Sequence, residues 1–418
     1  FEYDNTRGSV THNGETVANG AVVPVASSGA TLQAVAAGSN KFVAWVDENN
    51  QVLSRAAKWE NFIPEKAMTV KAVFAGTEPV FLVDDTYVVM GLNEALAKGT
   101  KVVLMNNATL PAGDYTIPKG TTLLIPYNDA NTLPTPAPAT TDARDYSVPT
   151  VYRKLTMAEG ANITVNGAIS LSGTQHSAMG HSAPYGACSF ITMQSGSSIT
   201  VNKGGNLYVW GYITGSGSVT VKSGTTVYEC FIVRDWLGGD NTTGMLDNKQ
   251  RVFPFSQYYV QNVEVPMTLE AGATEKGYMS VAISLIGVQG AAVPFIGSDG
   301  MFNITSGHIV KDYDESTGRL LLNVYGSLGV NSLTLSMKLG ILGSSTIKSQ
   351  NYVLPINGNM TVTMHSGGSI TMTQDIMMQP GAKLIVEEGA TCTLGQGNKI
   401  YVYDYAEWNL STGVQNPV

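Results

Sequence analysis

Charge is scarce in this chain. Only 13% of its 418 residues are Asp, Glu, Lys or Arg, about half the usual ~25%. Long solvated helices draw their exposed faces from Lys and Glu, so a predominantly helical protein is excluded. The net charge is −8, the pI is near 5.2, and Lys and Arg form no cluster. Binding nucleic acid requires such a cluster to displace phosphate counterions, and binding an anionic membrane surface requires a polybasic patch, so neither partner is expected.

Cysteine is almost as sparse. Cys188, Cys230 and Cys392 are odd in number and far apart, which excludes a full disulfide framework and leaves either one bridge or buried small apolar residues. No run of about 18 apolar residues is present to cross a bilayer. The chain begins with Phe rather than Met, which reads as a processed or excised piece whose signal or anchor segments lie outside it.

What is abundant is Gly, at 45 residues, with Thr, Ser, Val and Asn recurring throughout. β-Branched residues between Gly-marked turns belong to pleated strands, so the expected fold class is all-β. The first unit spans residues 8–76, after an extension over 1–7. It contains the short period-2 runs Gly8–Thr11, Gly29–Ala34, Phe42–Trp45 and Met68–Phe74, four strands expected around a small core of Phe42, Trp45, Trp59 and Phe74.

These runs, together with the turn Asp47-Glu48-Asn49-Asn50 and the closing Val70-Lys71-Ala72-Val73-Phe74, resemble the divergent internalin-type B repeat. The resemblance covers about a sixth of the chain. It implies a small β-grasp-like spacer or adhesion module of bacterial surface proteins.

Gly76-Thr77-Glu78-Pro79 reads as a linker. Beyond it, Leu92 and Leu96 share one face of a helix of two turns at most, stopped by Gly99. Laid over the strand Lys101–Met105, that helix would cap the open end of a repeat body, where unpaired edges invite polymerisation.

The repeat is a Gly turn followed by a strand alternating apolar residues with Thr: Gly160-Ala161-Asn162-Ile163-Thr164-Val165, Gly196-Ser197-Ser198-Ile199-Thr200-Val201 and Gly217-Ser218-Val219-Thr220-Val221. It returns at Gly367, Gly381 and Gly389; Gly196 and Gly217 stand 21 positions apart, Gly367 and Gly389 22. One such strand cannot bury its apolar edge alone, whereas stacked copies build a continuous column. The expected architecture is therefore a right-handed parallel β-helix, or solenoid, over residues 77–254, with rungs resuming over 355–409 and a tail from 410 to 418. Residues 128–148 form an exposed excursion. Over 255–354 longer strands read either as an inserted sheet or as widened rungs, with a hairpin turn at 312–319. Lys311-Asp312-Tyr313-Asp314, Val353-Leu354-Pro355-Ile356-Asn357 and Tyr401-Val402-Tyr403-Asp404 with Trp408 resemble a module of large surface proteins of gut-type anaerobic bacteria. That resemblance implies an extracellular, cell-surface or secreted location and carries no enzymatic activity.

Many β-helices cleave polysaccharides, which demands paired carboxylates with a cation to stabilise an anion. The outward rung positions are instead Thr, Ser, Asn, Gln and Lys, while Glu387, Glu388 and Asp375 stand isolated at rung ends as solvated turn residues. No catalytic residue and no cofactor is expected. Asp312, Asp314 and Glu315 lack the Gly and Glu of an EF-hand loop, and His176, His181 and Cys188 match no closed zinc motif, so no metal site is expected. The Thr-x-Thr pairs at 361–363, 371–373 and 391–393 are too irregular an array for ice binding and read as solvent-face strand residues.

The sharper signal is aromatic. Counting alternation from Leu207 turns Tyr208, Trp210 and Tyr212 outward, and counting from Ile400 does the same for Tyr401 and Tyr403. Exposed aromatic files mark a ligand platform or a contact surface unless neighbouring loops cover them. Three functions follow. The first is an adhesin or scaffold binding a glycan or host surface ligand. The second is a filament subunit partnering copies of itself by strand exchange, with Phe1 and Tyr3 or the tail from Leu410 as donors. The third is a polysaccharide-degrading enzyme, which lacks a site.

Overall fold

The structure is a computed structural model that describes residues 1–126, 153–171, 189–209, 211–234, 258–260, 263–281, 291–294, 302–314, 319–330, 333–341, 344–352, 354–356, 360–372, 376–378 and 383–402. It is built of strands, with one helix among the described residues, as an all-β chain. The excursion at 128–148, the loop carrying His176, His181 and Cys188, and the tail from Leu410 lie outside the described residues, as do Trp210 and Tyr403.

The first module holds two four-stranded sheets rather than four strands in all. One sheet orders Glu2–Tyr3, Lys71–Ala75, Lys41–Val46 and Val52–Ser54; the other orders Glu15–Val17, Gly8–His12, Ala30–Ala36 and Lys58–Phe62. Alternation sets the core: Ala30, Leu32 and Ala34 are buried while Thr31, Gln33 and Val35 are not. Asn13 and Gly14 both take positive φ, 51° and 90°, the Asn-Gly turn that joins twisted antiparallel strands in two residues. Trp45 is fully buried with its indole N–H donating to Ala56 O at 2.9 Å, and Phe74 is buried beside it, whereas Phe42 and Trp59 are only partly covered. Residues 1–7 are not a free extension: Glu2–Tyr3 is an edge strand, parallel to Lys71–Ala72.

Residues 76–79 are likewise not a loose linker. The Asn106 side chain accepts from Val80 N at 3.0 Å and donates to Glu78 O at 2.8 Å. Ala44, Val46 and Ala75 of the module share one apolar cluster with Val80, Leu82, Val88 and Met105, and Gln51 bridges to Tyr87.

Beyond this junction the chain visits three parallel ladders in rotation. The first contains Lys101–Leu104, Thr122–Ile125, Ala168–Leu171, Asn206–Val209, Thr226–Arg234 and Thr274–Val281; the second Ala108–Leu110, Lys154–Met157, Phe190–Met193 and Tyr212–Gly215; the third Gly113–Ile117, Ala161–Val165, Ser198–Val201, Ser218–Val221 and Met267–Glu270. Equivalent residues align across neighbouring strands, so that Tyr115, Ile163, Ile199, Val219 and Met267 form one inward column. Gly205 permits this closeness at a turn, since a Cβ there would stand 2.4 Å from Val165 O.

Two antiparallel strands, Val80–Val83 and Tyr87–Met90, cover the first ladder's leading edge, and the helix Leu92–Lys98 buries Leu92, Ala95 and Leu96 against the same core. Gly99 ends this helix in extended geometry, at φ −162°, not in the left-handed geometry common after helices. Its requirement is space, because a Cβ would collide with the Asp84 carboxylate.

Within residues 255–354 the ladders continue through a reversed rung. Phe302–Ser306 pairs antiparallel to Thr274–Val281 in the first ladder, and His308–Asp314 pairs antiparallel to Met267–Glu270 in the third. Arg319–Val324 and Ser327–Val330 then run back antiparallel to these two strands. Parallel pairing resumes with Met360–Met364 and Lys383–Val386 in the third ladder, and with Ser369–Met372 and Thr391–Leu394 in the first. A separate parallel sheet of Leu354–Ile356, Ile376–Met378 and Ile400–Val402 takes the second ladder's place in the rotation. Among the described residues, Leu333–Ile341 and Ser344–Tyr352 pair with each other as a two-stranded sheet.

Candidate functional site

Outward side chains on the ladders repeat in register, so the candidate surface is a set of files running from rung to rung. In the first ladder Tyr208 pairs with Tyr228, and their half-buried rings stack at 4.8 Å between centroids and 13° between planes. Ring faces are thereby turned toward each other along the stack, and ring edges and hydroxyls are turned away from it. Ser170 and Lys276 stand in register on either side of the pair.

Tyr212 corrects the expected aromatic file. It is fully buried, stacked on Phe190 at 5.5 Å and 16°. The run 207–213 is not one strand: Asn206–Val209 belongs to the first ladder and Tyr212–Gly215 to the second. Gly211 lies at the corner between them, where a Cβ would meet Ser189 O at 2.0 Å. Alternation in the second ladder sets Ile213 inward and Tyr212 on the opposite face, in register with Phe190 and the exposed Lys154, so Tyr212 is buried by cover over that face and not by an inward direction. Tyr401 lies in the strand Ile400–Val402, in register with Met377. Tyr3 is held in its edge strand, with its hydroxyl donating to Val17 O at 2.7 Å, and the Phe1 ammonium donates to Ala21 O at 2.8 Å.

A longer file runs along the corner that follows the third ladder. After Pro118, which follows the first strand, the residues that follow the last inward apolar side chain there are Asn166, Asn202, Lys222, Glu270, Tyr325, His365 and Glu387. Asn202 donates to Asn166 at 2.9 Å, and Lys222 pairs with Glu270 at 2.6 Å. Tyr325 is sandwiched between His308, at 5.0 Å and 21°, and His365, at 4.3 Å and 5°. His365 Nδ1 lies 3.1 Å from Glu387 Oε1 and its Nε2 lies 3.2 Å from Asn323 Oδ1. Glu387, expected as an isolated solvated residue, thus has a partner, and it also accepts from Ser366 N at 3.3 Å. Sequence reasoning missed this file because its members are distant in the chain. The available signal was the residue directly after each repeat's final Val, Leu or Met.

Polar files on the strand faces behave alike. Asn162 donates to Asp114 at 3.0 Å and accepts from Ser198 at 2.8 Å, and the Thr192 and Thr214 hydroxyls lie 3.4 Å apart. Single Thr residues, irregular in sequence, align as Thr116, Thr164, Thr200, Thr220 and Thr268 on neighbouring third-ladder strands. Burial and the neighbouring Asp314 hold the Asp312 carboxyl above the usual range, and burial raises the Cys392 thiol. Among the described residues no group of three His, Cys, Asp or Glu side chains is placed to hold a metal ion. No family model, no characterised protein and no solved structure matches this chain.

Proposed function

We propose that the chain is a non-catalytic scaffold of the bacterial exterior, cell-surface or secreted: a B-repeat-like module followed by a right-handed parallel β-solenoid that presents its faces for adhesion or glycan attachment. The observation carrying this reading is that outward polar and aromatic groups bond along the files, from rung to rung, at Asn166–Asn202, Asp114–Asn162–Ser198, Lys222–Glu270, Tyr208–Tyr228 and His308–Tyr325–His365. Such a surface is a stiffened wall rather than a set of converging reactive groups. The rotation of consecutive strands through three ladders supports the solenoid reading. No helix among the described residues is long and apolar enough to cross a membrane.

Electron microscopy of the purified chain tests the architecture, with narrow rods expected. A glycan array tests the ligand class: binding that falls on Tyr208→Ala or Trp210→Ala supports an aromatic attachment face. Turnover of acidic polysaccharides by the purified chain would overturn the non-catalytic assignment.

A second reading, a subunit that assembles by strand exchange, draws on the N-terminal strand, which is only two residues long and lies at a sheet edge. Filaments in the same micrographs would favour it over a monomeric scaffold.

A further inference from the structure

The strand Lys58–Phe62 is the last of its sheet, paired on one side to Ala30–Ala36 and on the other to no described strand. Its bonds to that neighbour alternate. Ala34 N donates to Ala57 O at 2.9 Å, and Leu32 stands opposite Trp59, so the bonded pairs of this antiparallel ladder fall at 57 and 59. Thr31 instead turns its peptide the other way: its N–H donates to Asn13 Oδ1 at 2.9 Å and its carbonyl accepts from Asn13 N at 2.8 Å. Gln33 is paired with Thr11 on that same side. The peptide groups of Lys58 and Glu60 therefore face away from the sheet, and no described strand or turn takes them up.

The side chains along this edge carry a pattern. Lys58 and Glu60 project from one face, exposed at 58% and 61% and paired with each other at 2.6 Å. Trp59 lies on the opposite face, partly buried against the module core, with its ring 4.6 Å from that of Phe62. Beyond Glu60 the edge ends, since Asn61 takes φ 56° at a register shift and Pro64 follows. Charges on a free edge guard it against pairing. Here they alternate in sign about a single residue, so they guard against every register but one.

A twofold axis through Trp59 sets Lys58 opposite Glu60 of a second copy, and Glu60 opposite Lys58 of that copy. Both pairs are of opposite charge, and both bring outward peptide groups against outward peptide groups, which allows four N–H···O bonds. Centring on Lys58 or on Glu60 places like charges face to face, as does parallel pairing in register. We propose that this edge is a self-association surface. Two copies of the chain join antiparallel about Trp59, making one eight-stranded sheet from two four-stranded ones. The two Trp59 residues meet at the unbonded pair on the axis, covering the indole surface that one copy leaves open. Because the axis is closed, the product is a dimer and not a filament. The inference goes beyond the scaffold reading, holds whether or not that reading does, and uses a different edge from the N-terminal strand.

The contact is small beside the ~1,200–2,000 Å² of stable interfaces, so association is expected from roughly 0.1 mM chain upward. Sedimentation velocity of the intact chain should show dimer growing over that range, and hydrogen exchange at the Lys58 and Glu60 amides should slow with it. Lys58→Glu and Glu60→Lys, each alone, put like charges opposite one another at both pairs and should weaken association by about tenfold or more. Both side chains are exposed, so these variants keep the fold. Mixed in equal amounts the two variants should recover association, since every pair across the axis is again of opposite charge. A chain carrying both substitutions should dimerise like the native one. A native chain that stays monomeric up to about 1 mM overturns the proposal. So does a mixture no more associated than its components, or a dimer that survives undiminished in both single variants, because association would then use another surface.

Discussion

Lys311 and Glu275 are fully buried and paired with each other inside the stack. Lys311 interrupts the inward column, taking its place between Met267 and Leu322, and Glu275 follows Leu207 and Val227 in the first ladder's column. Both lie at the junction with the reversed rung. Removing one partner strands a buried charge, so Lys311→Met alone should cost about 3–5 kcal/mol in urea unfolding. Adding Glu275→Leu should recover most of that loss, since a matched apolar pair restores the column; a double variant no more stable than the single one would refute this account. The two stacked tyrosines make a second residue-scale test. Tyr212→Ala empties a buried site and should cost about 3–5 kcal/mol, against about 0.5–1.5 kcal/mol for the half-buried Tyr208→Ala.

At the scale of elements, the cap has the most exposed dependencies. Asp84 and Asp85 turn the leading hairpin at positive φ, 49° and 57°, and the Asp84 carboxylate accepts from Thr100 N at 3.0 Å and Lys101 N at 2.8 Å. The backbone bond from Lys101, above all, holds its carboxyl below the usual aspartate range. A depressed folded-state value means that this contribution is present above the unfolded pKa and is lost as pH falls through the folded one. Below about pH 4, the native chain should therefore lose thermal stability faster than Asp84→Asn, which keeps an acceptor without titrating. Leu96→Asp strikes the same cap from its helix side. It should lift the helix from the core, uncover the leading end of the third ladder, and raise aggregation in light scattering.

Over the whole molecule, the shared cluster of Ala44, Val46, Ala75, Val80, Leu82 and Val88 ties the first module to the stack. The intact chain should show overlapping calorimetric transitions for the two bodies. Val46→Asp places a charge in that cluster and should split them, leaving the stack's transition where it was. Individual ladder strands were legible beforehand: Gly196-Ser197-Ser198-Ile199-Thr200-Val201 reads as a turn and a strand because local alternation and a Gly turn suffice to write one. The reversed rung was not, since His308–Asp314 has ordinary strand alternation and strand direction leaves no mark on composition. Nor was the burial of Tyr212, because alternation sets the direction of a side chain and not what covers the face it points to.

The sequence by itself determined the all-β class, the alternating strands with their inward residues, and the short helix around Leu92 and Leu96, all of which follow from chemistry within a few neighbouring residues. Only the tertiary structure decided which residues distant in the chain meet: the His–Tyr–His file, the buried Lys311–Glu275 pair, and the docking of the module on the ladders. Stacking brings those groups together through backbone register, and register is a property of neighbouring rungs rather than of any one of them.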